Sequence, residues 1–119
     1  MIVLFNPWST PSSKKPLPMS LLAVGSMLED EFDYCIVDGN ITGDPVAKIL
    51  AIEEKSRITA VAVTVMPGPQ LKAAVIGCRQ LKRMLPHVPI IWGGYFPSQH
   101  APACLSEHTV DICVSGQGE

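Results

Sequence analysis

The chain is poor in charged and aromatic side chains, and it has no basic run. Charged residues make up 17% of its 119 residues, aromatic residues make up 6%, and the formal net charge is −2. Proteins that bind nucleic acids hold phosphates with clustered lysine and arginine, so this composition argues against a nucleic-acid partner. The apolar fraction of 47% indicates a globular chain, and its length predicts a single domain with a buried core.

Long apolar runs and an N-terminal leader pattern are also missing. No run approaches the roughly 20 residues of a membrane-spanning helix. The first apolar run has no basic segment before it and breaks at Asn6-Pro7, which is not the pattern of a signal peptide. We therefore expect a cytoplasmic protein without a membrane span.

Cysteine and histidine show none of the spacings typical of metal or nucleophile sites. The four cysteines are far apart along the chain, at Cys35, Cys78, Cys104 and Cys113. They form no CxxC pair and no CxxxCxxC triplet, so we interpret them as reduced, buried thiols. His87 and His108 precede predicted strands, and only His100 follows one closely. With no Ser-His-Asp or Cys-His arrangement, we expect no catalysis by this chain alone.

Strand and helix patterns alternate along the chain. Five short apolar runs predict β-strands at Ile2–Phe5, Tyr34–Val37, Ala60–Val65, Val88–Trp92 and Val110–Val114. Four segments between them have helical spacing: Met19–Glu31, a segment from Asp44-Pro45 onward, Gln70–Leu85, and a short one from Ala101 to about Glu107. Continuously apolar strands favour a parallel sheet covered on both faces. The predicted fold is α/β: a flavodoxin-like (Rossmann-like), doubly wound, three-layer sheet of five parallel strands in the order 2-1-3-4-5.

Each predicted strand ends in a loop of small or polar residues, and a parallel sheet brings these loops to one edge. Gly93-Gly94 follows the fourth strand, in a predicted loop over residues 93–97, and Gly116 follows the fifth. Glycine there lets a ligand approach the backbone closely. Thr64 adds a hydroxyl at the end of the third strand. Because glycines cluster at two neighbouring strand ends, we expect a ligand site rather than tight turns alone.

Motifs for the commonest ligands of such sheets are absent. The chain has no GxGxxG and no GxxxxGK[ST], which argues against dinucleotides and nucleoside triphosphates. A receiver domain would need an aspartate at the end of the third strand, where Thr64 stands. Flavin mononucleotide would need a hydroxyl-rich phosphate loop after the first strand, and prolines interrupt that loop here. Flavin binding stays open as a minor alternative.

Six short stretches, spread over nearly the whole chain, carry a familiar set of motifs: Asn6-Pro7, Pro18–Ala23, Ile36–Asp38, Val63–Met66, Pro89–Pro97 and Val110–Glu119. Together they resemble the cobalamin-binding domain at the N-terminus of class B radical S-adenosylmethionine enzymes. Thr64-Val65-Met66 stands in the place of the S-x-L motif of cobalamin domains, and Gly93-Gly94 in the place of their G-G motif. Residues 6–11 stand in the place of the D-x-H-x-x-G motif of cobalamin domains. They read Asn-Pro-Trp-Ser-Thr-Pro and lack the histidine that ligates cobalt in that motif.

The resemblance implies that this chain binds a corrinoid, with cobalamin as the cofactor. The nucleotide tail would lie between the first and third strands, and the corrin ring would lie over the edge of the sheet. The implied cofactor-binding residues are Asn6, Trp8, Leu22, Thr64, Met66, Pro67, Gly93, Gly94, Tyr95 and Gly116. Since the lower-ligand histidine is missing, we expect no protein nitrogen on cobalt, with Trp8 packed beneath it. His100 is the one histidine expected near this edge.

The resemblance also implies a longer parent protein. A CxxxCxxC motif is absent, so the [4Fe–4S] cluster and S-adenosylmethionine would belong to a C-terminal radical SAM domain beyond residues 1–119. That parent would be a methyltransferase or a cyclase. This chain would be its cobalamin-binding domain, and its partners would be the corrinoid and the radical SAM domain. The alternative is a degenerate flavodoxin-like domain that binds no cofactor and mediates interaction or dimerisation.

Overall fold

The computed structural model describes residues 1–11, 13 and 15–119, and strands alternate with helices through them. The strands are β1 Ile2–Asn6, β2 Tyr34–Asp38, β3 Ala60–Thr64, β4 Ile90–Gly93 and β5 Ile112–Cys113. The helices are α1 Met19–Leu28, α2 Pro45–Lys55, α3 Pro69–Met84, α4 Tyr95–Gln99 and α5 Ala101–Leu105. All neighbouring strands pair in parallel, in the order β2-β1-β3-β4-β5. The predicted flavodoxin-like fold is confirmed.

The two faces of the sheet carry side chains of different size. Successive residues of a strand point to opposite faces, and in β3 the valines alternate with Ala60, Ala62 and Thr64. Val61 and Val63 pack into the main core with Phe5 and Trp92, under residues of α2 and α3. On the opposite face the small residues Ala62, Thr64 and Gly93 lie beside the larger Leu4 and Ile91. α1 lies over the β1 and β2 side of that face. Stability therefore comes mainly from one face, and the other keeps open space.

The helices differ most from the sequence prediction after β4 and at the end of α1. Residues 95–97, predicted as part of a loop, belong to α4, because Gly94 turns the chain with φ +103° and the Phe96 N–H then donates to the Val65 carbonyl. His100, with φ −134°, caps the end of α4. α5 begins at Ala101, has Pro102 in its first turn, and ends at Leu105 rather than near residue 107. α1 ends at residue 28 rather than at residue 31. Asp30, two residues later, adopts φ 68°, which is not helical.

The strands β4 and β5 are also shorter than predicted. β4 begins at residue 90 instead of 88, and β5 covers only residues 112–113. β5 is an edge strand and is hydrogen-bonded to β4 alone, with two residue pairs in register. Among the described residues, no helix combines the length and apolar character needed to span a bilayer.

Asp111 fixes the start of β5 against its neighbours. Its Oδ2 atom accepts hydrogen bonds from the Lys82 Nζ at 2.6 Å and from the Ile90 N–H at 2.8 Å. Burial raises the pKa of this carboxyl, but the hydrogen bonds from Lys82 and Ile90 and the Lys82 charge outweigh burial, so the pKa is lowered overall. The ionised carboxylate is thus the form that the folded chain stabilises.

We expect the contribution of Asp111 to stability to disappear in acid. Because its folded pKa is below the unfolded value, the stabilisation is fully present above the unfolded pKa of about 4 and is lost as pH falls through the folded pKa. Asp111→Asn should lower the melting temperature at about pH 7 and have a smaller effect at about pH 2. Glu54→Gln, an exposed change on α2, is the control. Equal losses for Asp111→Asn at both pH values in thermal melts followed by circular dichroism would contradict this assignment.

Candidate functional site

A groove of about 600 Å³ opens at the carboxyl ends of β3 and β4, on the face with small side chains. Its floor is formed by Leu4, Ala62 and Ile91, which come from three neighbouring strands and point to the same face. One wall is α1, and the other is the chain from Val114 to Glu119, after β5. The groove is therefore apolar at its floor and bounded by backbone and small side chains above.

Four described residues of the groove lining carry hydroxyl groups: Ser20, Thr64, Tyr95 and Ser98. The Ser20 Oγ of α1 and the Thr64 Oγ1 of β3 are 3.2 Å apart and hydrogen-bonded. Ser98 Oγ donates to the Gly94 carbonyl at 2.7 Å and accepts the Gly116 N–H at 2.9 Å, which ties the loop after β5 to α4. Among the described lining residues, Glu119 is the only carboxylate. The groove thus suits a ligand part that is largely apolar with a few hydrogen-bonding groups.

Gly93 and Gly94 have different roles. A Cβ on Gly93 would meet only the Val114 Cβ, at 3.8 Å, so this glycine leaves space in the groove. Gly94 has φ +103°, and a Cβ there would lie 3.1 Å from Thr64 Oγ1 and 3.3 Å from both the N and O atoms of Val65. The turn into α4 therefore requires glycine at position 94, whereas position 93 tolerates a side chain sterically. The sequence pattern alone treats the two as one motif.

Half of the predicted cofactor residues meet in this groove. The members that line it are Thr64, Gly93, Gly94, Tyr95 and Gly116. The others lie outside the lining. Trp8 and Met66, which are 42% and 48% exposed, follow β1 and β3 at the same edge of the sheet, as does exposed Pro67. Leu22 is exposed on α1, and its neighbour Leu21 lines the groove instead.

Asn6 lies below the edge, in a buried network, rather than in the groove. Its Nδ2 donates to Asp38 Oδ1 at 3.0 Å, and its Oδ1 accepts from Gln70 Nε2 at 2.8 Å. Both atoms of its amide are therefore already paired with protein. Asn6 joins β1 to β2 and α3, and in this conformation its side chain is not presented to a ligand.

Several lining residues were not anticipated from the sequence. Ser20 and Val24 of α1, Ala62 of β3 and Ser98 of α4 belong to this group. The alternation of valine with alanine or threonine in β3 is a signal that could have identified the thin face of the sheet, because it predicts bulk on one side only. Ser98 had no comparable signal, because the sequence predicted no helix at that position.

Histidine and cysteine do not contribute to the groove lining. The His100 ring packs against Phe96, with ring centroids 4.9 Å apart. In the described part of the chain, no three His, Cys, Asp or Glu side chains are grouped to hold a metal ion. The four cysteines are free thiols, and burial raises the pKa of Cys78 to about 12 and that of Cys104 to about 11. These thiols therefore stay protonated at neutral pH and are poor nucleophiles.

Comparison with known proteins gives a family and a fold. The model of the B12 binding domain matches residues 13–119 of the chain. No match to a curated protein is found. The isolated REC domain of RcsB from Salmonella enterica serovar Typhimurium, solved with phosphomimetic BeF3−, has a TM-score of 0.57 and 18% identity over 100% of this chain and 79% of that chain.

A second RcsB structure, of the response regulator from Salmonella typhimurium, has a TM-score of 0.57 and 20% identity, over 99% of this chain and 53% of that chain. At such low identity, the likeness to the two RcsB structures shows the fold alone. The residue that ends β3 is Thr64 rather than an aspartate. The site chemistry therefore has to be argued from the groove itself.

We expect the two glycines to respond differently to alanine. Gly94→Ala should reduce the free energy of unfolding by about 1–3 kcal/mol, because alanine is strained at this positive φ and contacts Thr64 and Val65. Gly93→Ala should change it by less than about 0.5 kcal/mol, since the added methyl enters open space. Urea unfolding of the two variants measures the difference. Similar losses for both would show that position 93 is packed and that the groove is not open there.

Proposed function

Since the chain belongs to the B12-binding domain family, we propose that its groove holds the nucleotide tail of cobalamin, with the corrin ring over the carboxyl edge of the sheet. The observation that carries the proposal is the open space above Gly93, where the floor of Leu4, Ala62 and Ile91 meets the hydroxyls of Ser20 and Thr64. In an open α/β sheet, this edge is the usual ligand position.

The groove fits the chemistry of the tail. Its volume of about 600 Å³ is within the range of roughly 300–1,000 Å³ that is typical of small-molecule sites. A benzimidazole base is flat and largely apolar, which matches the floor. The ribose and phosphate of the tail need hydrogen-bond partners, and the hydroxyls of Ser20, Thr64 and Ser98 are on the lining. The fit therefore supports a tail with its base inside and its polar part at the mouth.

The edge beside the groove suits the corrin ring. Trp8, Met66 and Tyr95 expose 42%, 48% and 59% of their surface there. Large apolar side chains grouped at an edge lose unfavourable contact with water when a flat ligand covers them. Asn6, Leu22, Pro67 and Gly116 complete the proposed cofactor set, Asn6 by supporting the edge from below. Bound cobalamin would supply a cobalt centre for group transfer, and the protein would bind and orient it.

For the parent protein, we propose a class B radical SAM enzyme of the methyltransferase or cyclase type. The support is the set of motifs from Asn6-Pro7 to the final Gly116–Glu119 stretch, which is similar to the G-E-G-E signature of that family with Gln117 in second place. Residues 1–119 would be its cobalamin-binding domain. The [4Fe–4S] cluster and S-adenosylmethionine would be held by a C-terminal domain, in a cytoplasmic protein.

The exposed apolar edge also supports a second candidate, a domain that binds no cofactor and dimerises or docks a partner through Trp8 and Met66. The two functions differ in what they require of the groove. A protein interface at the edge does not need the space above Gly93, whereas a buried nucleotide tail does. Flavin mononucleotide, the third candidate, would give a yellow protein on purification.

We expect the chain to retain hydroxocobalamin after desalting, detected by visible absorbance. Gly93→Val should weaken cobalamin binding by about tenfold or more, because its methyl groups fill the tail site. Binding of cobinamide, which lacks the nucleotide tail, should change by less than about twofold. Gly43→Val is the matched control, since a Cβ there meets nothing within 4 Å. Absence of retained corrinoid on the wild-type chain and on the full-length protein would rule out the proposed function, and unchanged cobalamin binding by Gly93→Val would rule out the tail position.

We also expect no protein nitrogen on cobalt. The Trp8 indole nitrogen only donates hydrogen bonds, and His100 lies outside the groove lining with its ring against Phe96. Electron paramagnetic resonance of the Co(II) form, loaded with cobinamide so that no tail base is present, should show no nitrogen superhyperfine splitting. A splitting that disappears in His100→Ala would identify that histidine as a ligand and overturn the expectation.

A further inference from the structure

Gln70 joins the two loops that flank the carboxyl edge. It lies in the first turn of α3 and is only 3% exposed. Its Nε2 donates to Asn6 Oδ1 at 2.8 Å and to the Pro7 carbonyl at 2.9 Å. Its Oε1 accepts the Met66 N–H at 2.9 Å. One buried side chain thus bridges the loop after β1 and the loop after β3, which are distant in sequence.

The loop after β1 is also fixed from its other side. Asp38 Oδ1 accepts from Asn6 Nδ2 at 3.0 Å and from the Asn40 N–H at 2.9 Å. Asn40 in turn accepts the Ser9 N–H at 2.9 Å and donates to Ser9 Oγ at 3.0 Å. We refer to the side chains of Asn6, Asp38, Asn40 and Gln70 as the polar network.

The polar network determines where Trp8 and Met66 are placed. Trp8 lies between Pro7, whose carbonyl is held by Gln70, and Ser9, which is held by Asn40. The Met66 backbone is held by Gln70 directly. The two side chains are exposed, yet Gln70 bonds both the Met66 backbone and the carbonyl of Pro7, the residue directly before Trp8. Gln70 itself is not in the groove lining.

We propose that Gln70 is a positioning residue for the corrin ring, acting through Trp8 and Met66. The inference rests on the proposed function. A flat ring that contacts side chains from two loops binds more tightly when the loops hold their spacing before the ring arrives, because less ordering is needed on binding. Loss of the Gln70 bonds removes the partner of the Asn6 side-chain oxygen, the Pro7 carbonyl and the Met66 N–H. Both loops therefore gain freedom together.

The first measurement needs no ligand. Gln70→Leu removes all three bonds, and Gln80→Leu makes the same change at an exposed position of the same helix. Amide hydrogen exchange, followed by mass spectrometry, should be faster in segments 6–10 and 65–69 of Gln70→Leu than in the wild type. Exchange within β3 and β4 should be unchanged. Gln80→Leu should match the wild type. Unchanged exchange in either segment would overturn the proposed bridge.

The second measurement uses dicyanocobinamide, which carries the ring without the tail, and cyanocobalamin. Gln70→Leu should weaken both by a similar factor of about ten, since the tail site is untouched. The visible circular dichroism of the bound ring at saturating ligand should also differ from that of the wild type. A purely structural role would lower the melting temperature but leave that saturated spectrum unchanged.

The outcomes separate the two ideas. If neither the wild-type chain nor the full-length protein binds either corrinoid, the proposed function fails and the inference with it. If the wild type binds and Gln70→Leu binds equally well with the same ring spectrum, the inference alone is wrong. Gln70→Glu serves if the leucine variant does not fold, because it keeps the length and the acceptor for the Met66 N–H but loses both donated bonds. It should weaken dicyanocobinamide binding in the same way, and wild-type affinity would contradict the inference.

Discussion

The parallel pairing of β3 with β4 is the interaction on which the candidate site depends. It places Thr64 beside Gly93 at the carboxyl end of the sheet, with the Val65 N–H donating to the Gly93 carbonyl at 2.9 Å. The turn at Gly94 then directs the chain into α4, whose Phe96 N–H donates back to the Val65 carbonyl at 3.1 Å. A shift of this pairing by one residue would turn the small side chains away from the groove and bring valines into it.

The tightly packed core and the open groove lie on different faces of the sheet. On one face, Phe5, Val63 and Trp92 pack tightly under α2 and α3, and Trp92 Nε1 donates to the Cys78 sulfur at 3.3 Å. On the other face, Ala62 and Gly93 contribute little volume, so a groove remains above them. A ligand could therefore fill that groove without rearranging the main core, which is the part that is hardest to repack.

Two kinds of interaction hold the carboxyl edge together, and they complement each other. The outer surface of this edge is apolar and exposed, at Trp8, Met66 and Tyr95. The support beneath it is polar and buried, because the amide groups of Asn6 and Gln70 hydrogen-bond the loops in directions that apolar packing does not specify.

The sequence by itself determined the alternation of strands and helices, the parallel order 2-1-3-4-5 and the position of Gly93-Gly94 at a strand end, since periodicity and glycine placement are local signals. Only the tertiary structure decided which edge residues share a space. The family resemblance predicts Asn6 as a cofactor-binding residue. In the structure, however, Gln70, 64 positions away, donates to the Asn6 side-chain amide below the surface. Gly93 and Gly94 differ because one faces the groove and the other faces Thr64 and Val65. α4 is too short to form from local propensity alone and depends on its contacts with β3, which no short-range pattern encodes.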